Sequence, residues 1–351
     1  MAFPSTDITE AIQVSPLTDG DLGAWTAFAD SRPEATFFHR IEWRRLMCDT
    51  LGFRDRYLIA RRLGAVVGVL PMVEVRHLLF GSSFTSLPFC AYGGPLSIDA
   101  DAQRALIDAA VAMARQHGVA RVELRCLSPL DAASPRQSLY STFRAPIAPG
   151  LDDLKGIPQK RRNVVRRAIS LGLRADVRRD ADRFFELYAE NARAHGTPAL
   201  ARRFFHALLA AFPADCDVLF VTDAQGRDLS AILNFYHRGE VLAYFAGEVA
   251  AARETNANDF KYWSLMRHAV SRGCTQFDFG RSKADTGSFQ FKRLWGFTPH
   301  QLHYEYPYLP SGAVPQNNPN NPKFQLAMRV WQRLPRAIVD RVGPPLAQGL
   351  G

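Results

Sequence analysis

Cysteine is scarce and scattered in this chain. Five occur, Cys48, Cys90, Cys126, Cys216 and Cys274, with no CxxC pair among them. An odd, dispersed set speaks against a disulfide framework and against a structural zinc site. A reducing cytoplasm is the simplest home for it. No apolar run approaches the length of a membrane-crossing helix. The first ten residues, MAFPSTDITE, carry neither a basic n-region nor an apolar h-region, so no signal peptide is expected there. No Gly-Lys-Ser/Thr follows the Walker spacing, which sets aside a nucleoside triphosphate cradle. No metal site is expected.

The 351 residues suggest two domains of ordinary size. Hydrophobic residues make up 47%, normal for a soluble globular chain. The formal net charge is +9, which favours acidic partners without choosing among phosphorylated ligands, nucleic acid and an anionic membrane.

One stretch, QFDFGRSKADTGSFQFKRLWGFTPHQLHYEY at 276–306, organises the rest. Phe277 and Phe279 alternate with Asp278, the pattern of a strand. Gly280 stops it. The polar run Arg281-Ser282-Lys283 and a turn around Asp285-Thr286-Gly287 follow. A short helical segment then carries Phe289, Phe291, Lys292, Leu294 and Trp295, and Leu302–Tyr308 reads as another strand. A buried strand feeding a cationic loop is a common way to build a site. Arg281, Lys283 and Lys292 suit an anionic or acyl ligand, Ser282 and Thr286 add hydroxyls, and the glycines allow close backbone approach.

Earlier in the chain, 57–61 and 66–75 read as a hairpin turning at Leu63-Gly64, with Pro71 marking an edge or bulge. The aromatic, Gly-rich run 80–95 reads as a loop lining a cleft or as a packed connection. A helix over 103–117 and a strand over 119–126 give an α/β or α+β domain. The proline-rich segment 129–149 reads as a loop, with a domain boundary near its end. The basic segment 155–179 places Val164, Ala168 and Leu171 on one helical face and Arg162 and Arg166 on another; a solvated face and a phosphate contact are the two readings. Asp180 caps a helix over 181–195, at whose end His195 reads as a catalytic candidate or as a partner of the helix C-terminus. A second helix, a three-strand meander, the helix 258–272 and two further strands complete an element order that resembles that of GNAT-superfamily acyltransferases.

Several motifs together resemble the FemAB family, and more closely its members associated with PEP-CTERM/exosortase A systems. They are FFHRIEW (37–43), QKRRNVVRRA (159–168), ARAHGTP (192–198), NANDFKYWSLMRHAVSRGC (256–274) and FDFGRSKADTGSFQFKRLWGF (277–297). The resemblance covers most of residues 30–310. It implies two GNAT-like domains packed around a cleft: 1–150, then a FemAB-type domain at 151–310, followed by a linker and basic tail at 311–351. It implies acyl or aminoacyl transfer, with acyl-coenzyme A or aminoacyl-tRNA as co-substrate and no tightly bound cofactor. The acceptor is expected on an exopolysaccharide, lipid-linked, cell-envelope or export-system substrate.

By the same resemblance, Lys292 polarises the ester carbonyl and stabilises the oxyanion. Asp278 is a base for the incoming amine or the partner that fixes Arg281. Arg281, Ser282 and Lys283 contact ligand, and Trp43, Tyr244, Asn258, Tyr262 and Phe291 join the substrate-binding set, with Trp295 a cleft wall or core. Two departures stand out. Met47 replaces the lysine that murein ligases place four residues after the tryptophan matching Trp43. After Gly247, EVAAARETNAND replaces the glycine-spaced pyrophosphate loop. In the tail, Phe324, Ala327, Val330, Trp331 and Leu334 share a face opposite Arg329 and Arg333. Such a helix folds back on the protein or lies on an anionic membrane, so a cytoplasmic chain with a weak inner-membrane contact through 323–346 is expected.

Overall fold

The computed structural model describes residues 11–130, 134–312, 314 and 322–351, without the side chains of 322–324. Most of the linker expected at 311–322 lies outside these residues. The chain forms two compact units. One comprises Met1–Gln137 and His303–Val314, the other Ser138–Leu302 and Pro315–Gly351. The division thus falls before the boundary expected near 150, and the chain returns to the first unit at His303.

The first unit holds two sheets. Gln13–Pro16, Leu58–Arg62, Ala65–Leu70 and Leu96–Ser97 form an antiparallel four-strand sheet in that order. Leu63 and Gly64 make the expected turn with φ of 51° and 81°. At Pro71 the run leaves this sheet, and Val73–His77 joins a second one, since proline cannot donate to a ladder. There Gly81–Thr85 pairs parallel with Val122–Cys126, the crossover being the helix Ala100–Gln116. That helix is capped by Asp99 and buries Ala102, Leu106, Ala110 and Ala114 at i, i+4, i+8 and i+12. The 80–95 segment is a packed connection. Leu87, Cys90, Ala91 and Tyr92 are buried, and the Arg125 guanidinium donates to the carbonyls of Leu87 and Cys90.

The second unit is built on one twisted sheet. Its elements are β1 (Tyr140–Pro146), α1 (Gln159–Ser170), β2 (Arg174–Arg178), α2 (Ala181–Ala194), α3 (Arg202–Ala211), β3 (Cys216–Thr222), β4 (Asp228–His237), β5 (Glu240–Glu248), α4 (Ala257–Ser271), β6 (Gln276–Asp278), β7 (Ser282–Lys283), α5 (Gly287–Leu294) and β8 (Pro299–Gln301). The strand order is β2-β3-β4-β5-β6-β1-β7, with β8 beside β1. Among the described residues of this sheet only the β5–β6 pair is parallel. One face carries α1, α4 and α5 over a core that includes Phe143, Val241, Ala243, Phe277, Phe279, Trp263 and Trp295. The α1 helix buries Val165 and Ala168 rather than Val164 and Leu171, so its apolar face is rotated from the expected one. Its arginines serve the fold: Arg161 pairs with Asp259 at 2.9 Å, and Arg162 donates to the carbonyls of Ile157 and Lys155.

The other face of β5 meets α2 so closely that Gly247 is obligatory. A Cβ there would lie 2.5 Å from the backbone of Leu187 and Tyr188. Gly247→Ala is expected to cost at least about 2 kcal/mol, because backbone must move. Urea denaturation would show it, and an unchanged midpoint would mean that α2 yields freely.

The tail folds back onto this unit as α6 (Pro322–Arg333) and α7 (Arg336–Leu350). Met328 packs on Gly196, Gln332 donates to the carbonyl of Ala194, Gly343 meets Ala199, and Arg336 pairs with Glu186. Trp331 is buried while Ala327 and Val330 are exposed, so the apolar face read from the sequence is split between protein and solvent. Among the described residues no helix is long and apolar enough to cross a membrane, and no group of three potential metal ligands occurs.

Candidate active site

The site grows from the place where β5 and β6 part. The strands pair only at Glu240–Gln276, Val241–Phe277 and Leu242–Asp278. Beyond that, β6 ends while β5 runs on against β4 alone. Its register with β4 then slips, pairing Leu233 with Phe245 but Asn234 with Ala243. Tyr244 is the extra residue of this bulge, a device that re-aims backbone groups. Across the gap stands Gly280 at φ 71°, and a Cβ there would come 3.2 Å from the carbonyl oxygen of Ala243.

Asp278 fixes this turn. It is fully buried, and its Oδ1 accepts hydrogen bonds from Thr142 Oγ1 at 2.5 Å and Gly280 N at 2.7 Å. Arg144 Nε lies 3.9 Å from Oδ2 and donates to Glu240 Oε1 at 2.7 Å. Asp278 therefore ties β1, β6 and the Gly280 turn together. Enclosed in this way, the carboxylate has the surroundings of an anchor for the turn. Glu240, next to it, is pushed up to about 7 by burial and by the Asp278 charge, against the pull of Arg144.

Lys292 is the residue this turn receives. Thr286 caps α5, and Lys292 is the one side chain of that helix to be buried. Its Nζ donates to Gly280 O at 2.8 Å and Arg281 O at 3.2 Å, and sits 5.6 Å from the Phe143 ring. An ammonium has three donors, and two of them are used here. Burial pushes the Lys292 ammonium down to about 7. Asp278 pulls upward and Arg281 adds to the fall.

The unfolded chain keeps a lysine near 10.5, so it binds more protons than the native state between about pH 7 and 10.5, and stability rises with pH across that window. Lys292→Met removes the buried charge. Its stability advantage over wild type is expected to be largest at pH 6 and to close towards pH 10 in urea titrations. A difference independent of pH would contradict the burial of a charge-bearing Lys292.

The remaining expected residues separate into two groups. Around the turn, the Ser282 hydroxyl is buried and has no hydrogen-bond partner among the described atoms, and Lys283 lies half-buried beside it in β7. Arg281 stacks on the Tyr140 ring at 4.6 Å. Tyr262 and Phe291 are half-buried and 5.5 Å apart, with Tyr262 also 4.8 Å from Phe279. Tyr244 packs on Phe235 and Phe245. The second group is spent elsewhere. Asn258 belongs to a polar network in which it pairs with Glu248 and accepts from Ser230 Oγ and Lys261 Nζ. Trp295 is core, at 2% exposure. Trp43 lies in the other unit, fully buried between Phe37 and Phe38, its indole N–H given to the carbonyl of Phe37. It is a core residue there, which corrects the expectation of a ligand contact.

Sequence reading missed Thr142, Arg144 and Glu240, which join the site through sheet pairing alone. It also missed Lys261, buried at 1% exposure, bonded to Ser230, and pushed down to about 8 by burial. A lysine between Phe260 and Tyr262 in a buried helical run was the available signal.

Residues 159–293 match the family model described as an acetyltransferase (GNAT) domain. The matched segment lies within the second unit. Among solved structures the fold is shared with a crystal structure of FemX, at a TM-score of 0.61 and 15% identity over 83% of this chain and 96% of that one. It is shared with L-PGS from Bacillus licheniformis, at 0.55 and 12% identity over 91% and 99%. A tandem GNAT protein from the clavulanic acid biosynthesis pathway matches at 0.52 and 12% over 85% and 99%. Comparison with curated protein sequences gives no match. Within the matched residues the segment after Gly247 folds as a short helix, Ala251–Glu254, and Asn256 enters α4 at φ 59°.

Proposed function

We propose that the GNAT domain is an acyl- or aminoacyl-transferase of FemAB type. It moves an acyl group from acyl-coenzyme A or aminoacyl-tRNA to an amine or hydroxyl of a cell-envelope, exopolysaccharide or export-system substrate. The observation that carries this reading is the Lys292 ammonium, buried at the β5–β6 gap and held by two backbone carbonyls. The donor's carbonyl oxygen accepts a hydrogen bond from it. The acceptor's lone pair forms the new bond to carbon, and the negative charge gathers on the oxygen beside Lys292. The C–S or C–O bond to the carrier then breaks, and the carrier leaves with the proton that the acceptor loses. A fixed cation at such an oxygen can contribute about 3–4 kcal/mol. Ser282 and Arg281 stand beside the same turn as ligand contacts, and Asp278 holds it in shape.

A second reading, a binding module without turnover, is favoured by the missing glycine-spaced loop and by Glu248 near the entry of α4. Native mass spectrometry and thermal shift against acyl-coenzymes A, followed by product analysis, separate the two. Transfer lost in Lys292→Ala supports the enzyme. Binding without product, tolerant of Lys292→Ala, supports the module. We further propose that residues 323–346 bring the protein to a membrane surface.

A further inference from the structure

The C-terminal helices present two unlike faces. Met328, Trp331, Val339, Gly343 and Ala347 face the second unit, fixed by Gln332 on Ala194 and Arg336 on Glu186. The outward strip differs. On α6, Leu326 and Val330 are 63% and 53% exposed, four residues apart, and they interleave with exposed Arg329 and Arg333. On α7, Ile338 and Val342 are 46% and 43% exposed, again four apart, and flank Arg341. Twelve large apolar side chains are exposed among the described residues, and five of them fall between 326 and 350. Such a concentration is not scattered surface leucine. Over 322–351 the sequence has five basic residues against one acid, Asp340, and that acid already pairs with Arg336.

The chemistry selects the partner. A nucleic-acid backbone would engage the arginines and leave the four aliphatic side chains in water. A neutral apolar partner would bury the aliphatics and strip water from three guanidinium groups. An anionic lipid surface satisfies both. The aliphatics enter the headgroup boundary while the arginines extend to the phosphates.

We propose that α6 and α7, while still docked on the second unit, bind this protein to an anionic lipid surface through their outward strip. This rests on the membrane contact proposed for residues 323–346 and not on the catalytic reading, so either can fail alone. The binding element is the folded helical pair, because its inward face, with Trp331, stays on the protein.

The test is co-sedimentation of the full chain with phosphatidylcholine vesicles, with and without phosphatidylglycerol. Preferential binding to the anionic vesicles, at least tenfold, is expected. Each surface cation contributes about fivefold at such a membrane. The Arg329→Gln/Arg333→Gln/Arg341→Gln triple variant should therefore bind about a hundredfold more weakly. Leu326→Ser/Val330→Ser/Ile338→Ser/Val342→Ser should lose tenfold or more, with an unchanged melting temperature because every substitution points outward. Equal binding to both vesicles, or to neither, overturns the proposal. So does loss in the arginine variant alone, which marks a general polyanion site such as one for nucleic acid. A wild-type dimer that the serine variant turns into monomers would make the strip a subunit interface.

Discussion

Lys292→Ala should lower turnover by about 10²–10³-fold while the fold survives, the loss typical of one preorganised donor at an oxyanion. Circular dichroism should be unchanged. The melting temperature should hold or rise, because a buried ammonium is removed along with its two hydrogen bonds. Lys292→Arg should not restore activity. The slot between Gly280 O, Arg281 O and the Phe143 ring suits a compact ammonium, whereas a planar guanidinium with five donors needs a different cradle. A Lys292→Ala enzyme that turns over at the wild-type rate would remove the catalytic reading and leave a binding module.

The second large effect is expected at Asp278. Asp278→Ala should destabilise the second unit by about 3–5 kcal/mol, the cost of breaking a buried charged network from one side. It leaves Thr142 and the Gly280 amide without their acceptor and removes the carboxylate that faces Arg144. Asp278→Asn keeps an acceptor oxygen and should cost far less. The asparagine variant also separates the two roles considered for this residue. An anchor replaced by asparagine keeps measurable turnover. Its pH profile moves to lower pH, because the Asp278 charge that holds up the Lys292 ammonium is gone. A base replaced by asparagine loses turnover at every pH. Complete loss with an intact fold would return Asp278 to the chemistry.

Much of the second unit was legible because its signals are local. Asp180 caps α2 by accepting from the Arg183 amide, as its position before an apolar periodic run suggests. The meander β3–β5 follows from alternating runs broken at Gly226 and Gly239, both at positive φ. Gly280 and the turn at Asp285-Thr286-Gly287 likewise placed Lys292 on a short helix after a buried strand. What remained hidden depends on pairing across long separations. Tyr140–Pro146 sits among prolines and reads as loop, yet β1 lies between β6 and β7 and brings Thr142 to Asp278 across 136 positions. Nothing in YSTFRAP announces that partner. The direction in which Asp278 faces was hidden for the same reason, since alternation fixes two sides of a strand and not which side is closed. Trp43 misled because an aromatic residue in a family motif reads equally as pocket wall or core, and only burial distinguishes them. In the tail, helical spacing found an amphipathic segment, but docking on Gly196 and Ala199 chose which apolar residues it hides.

The measurement closest to the central claim is the titration of Lys292 in the intact chain, followed by nitrogen-15 NMR of its side-chain amine and assigned by its absence in Lys292→Ala. Lys292 is expected to titrate near 7, with a resonance that shifts when an acyl donor analogue binds, as for an ammonium poised at the donor's carbonyl. A Lys292 that titrates at the ordinary lysine value of 10.5 and ignores every donor would contradict it.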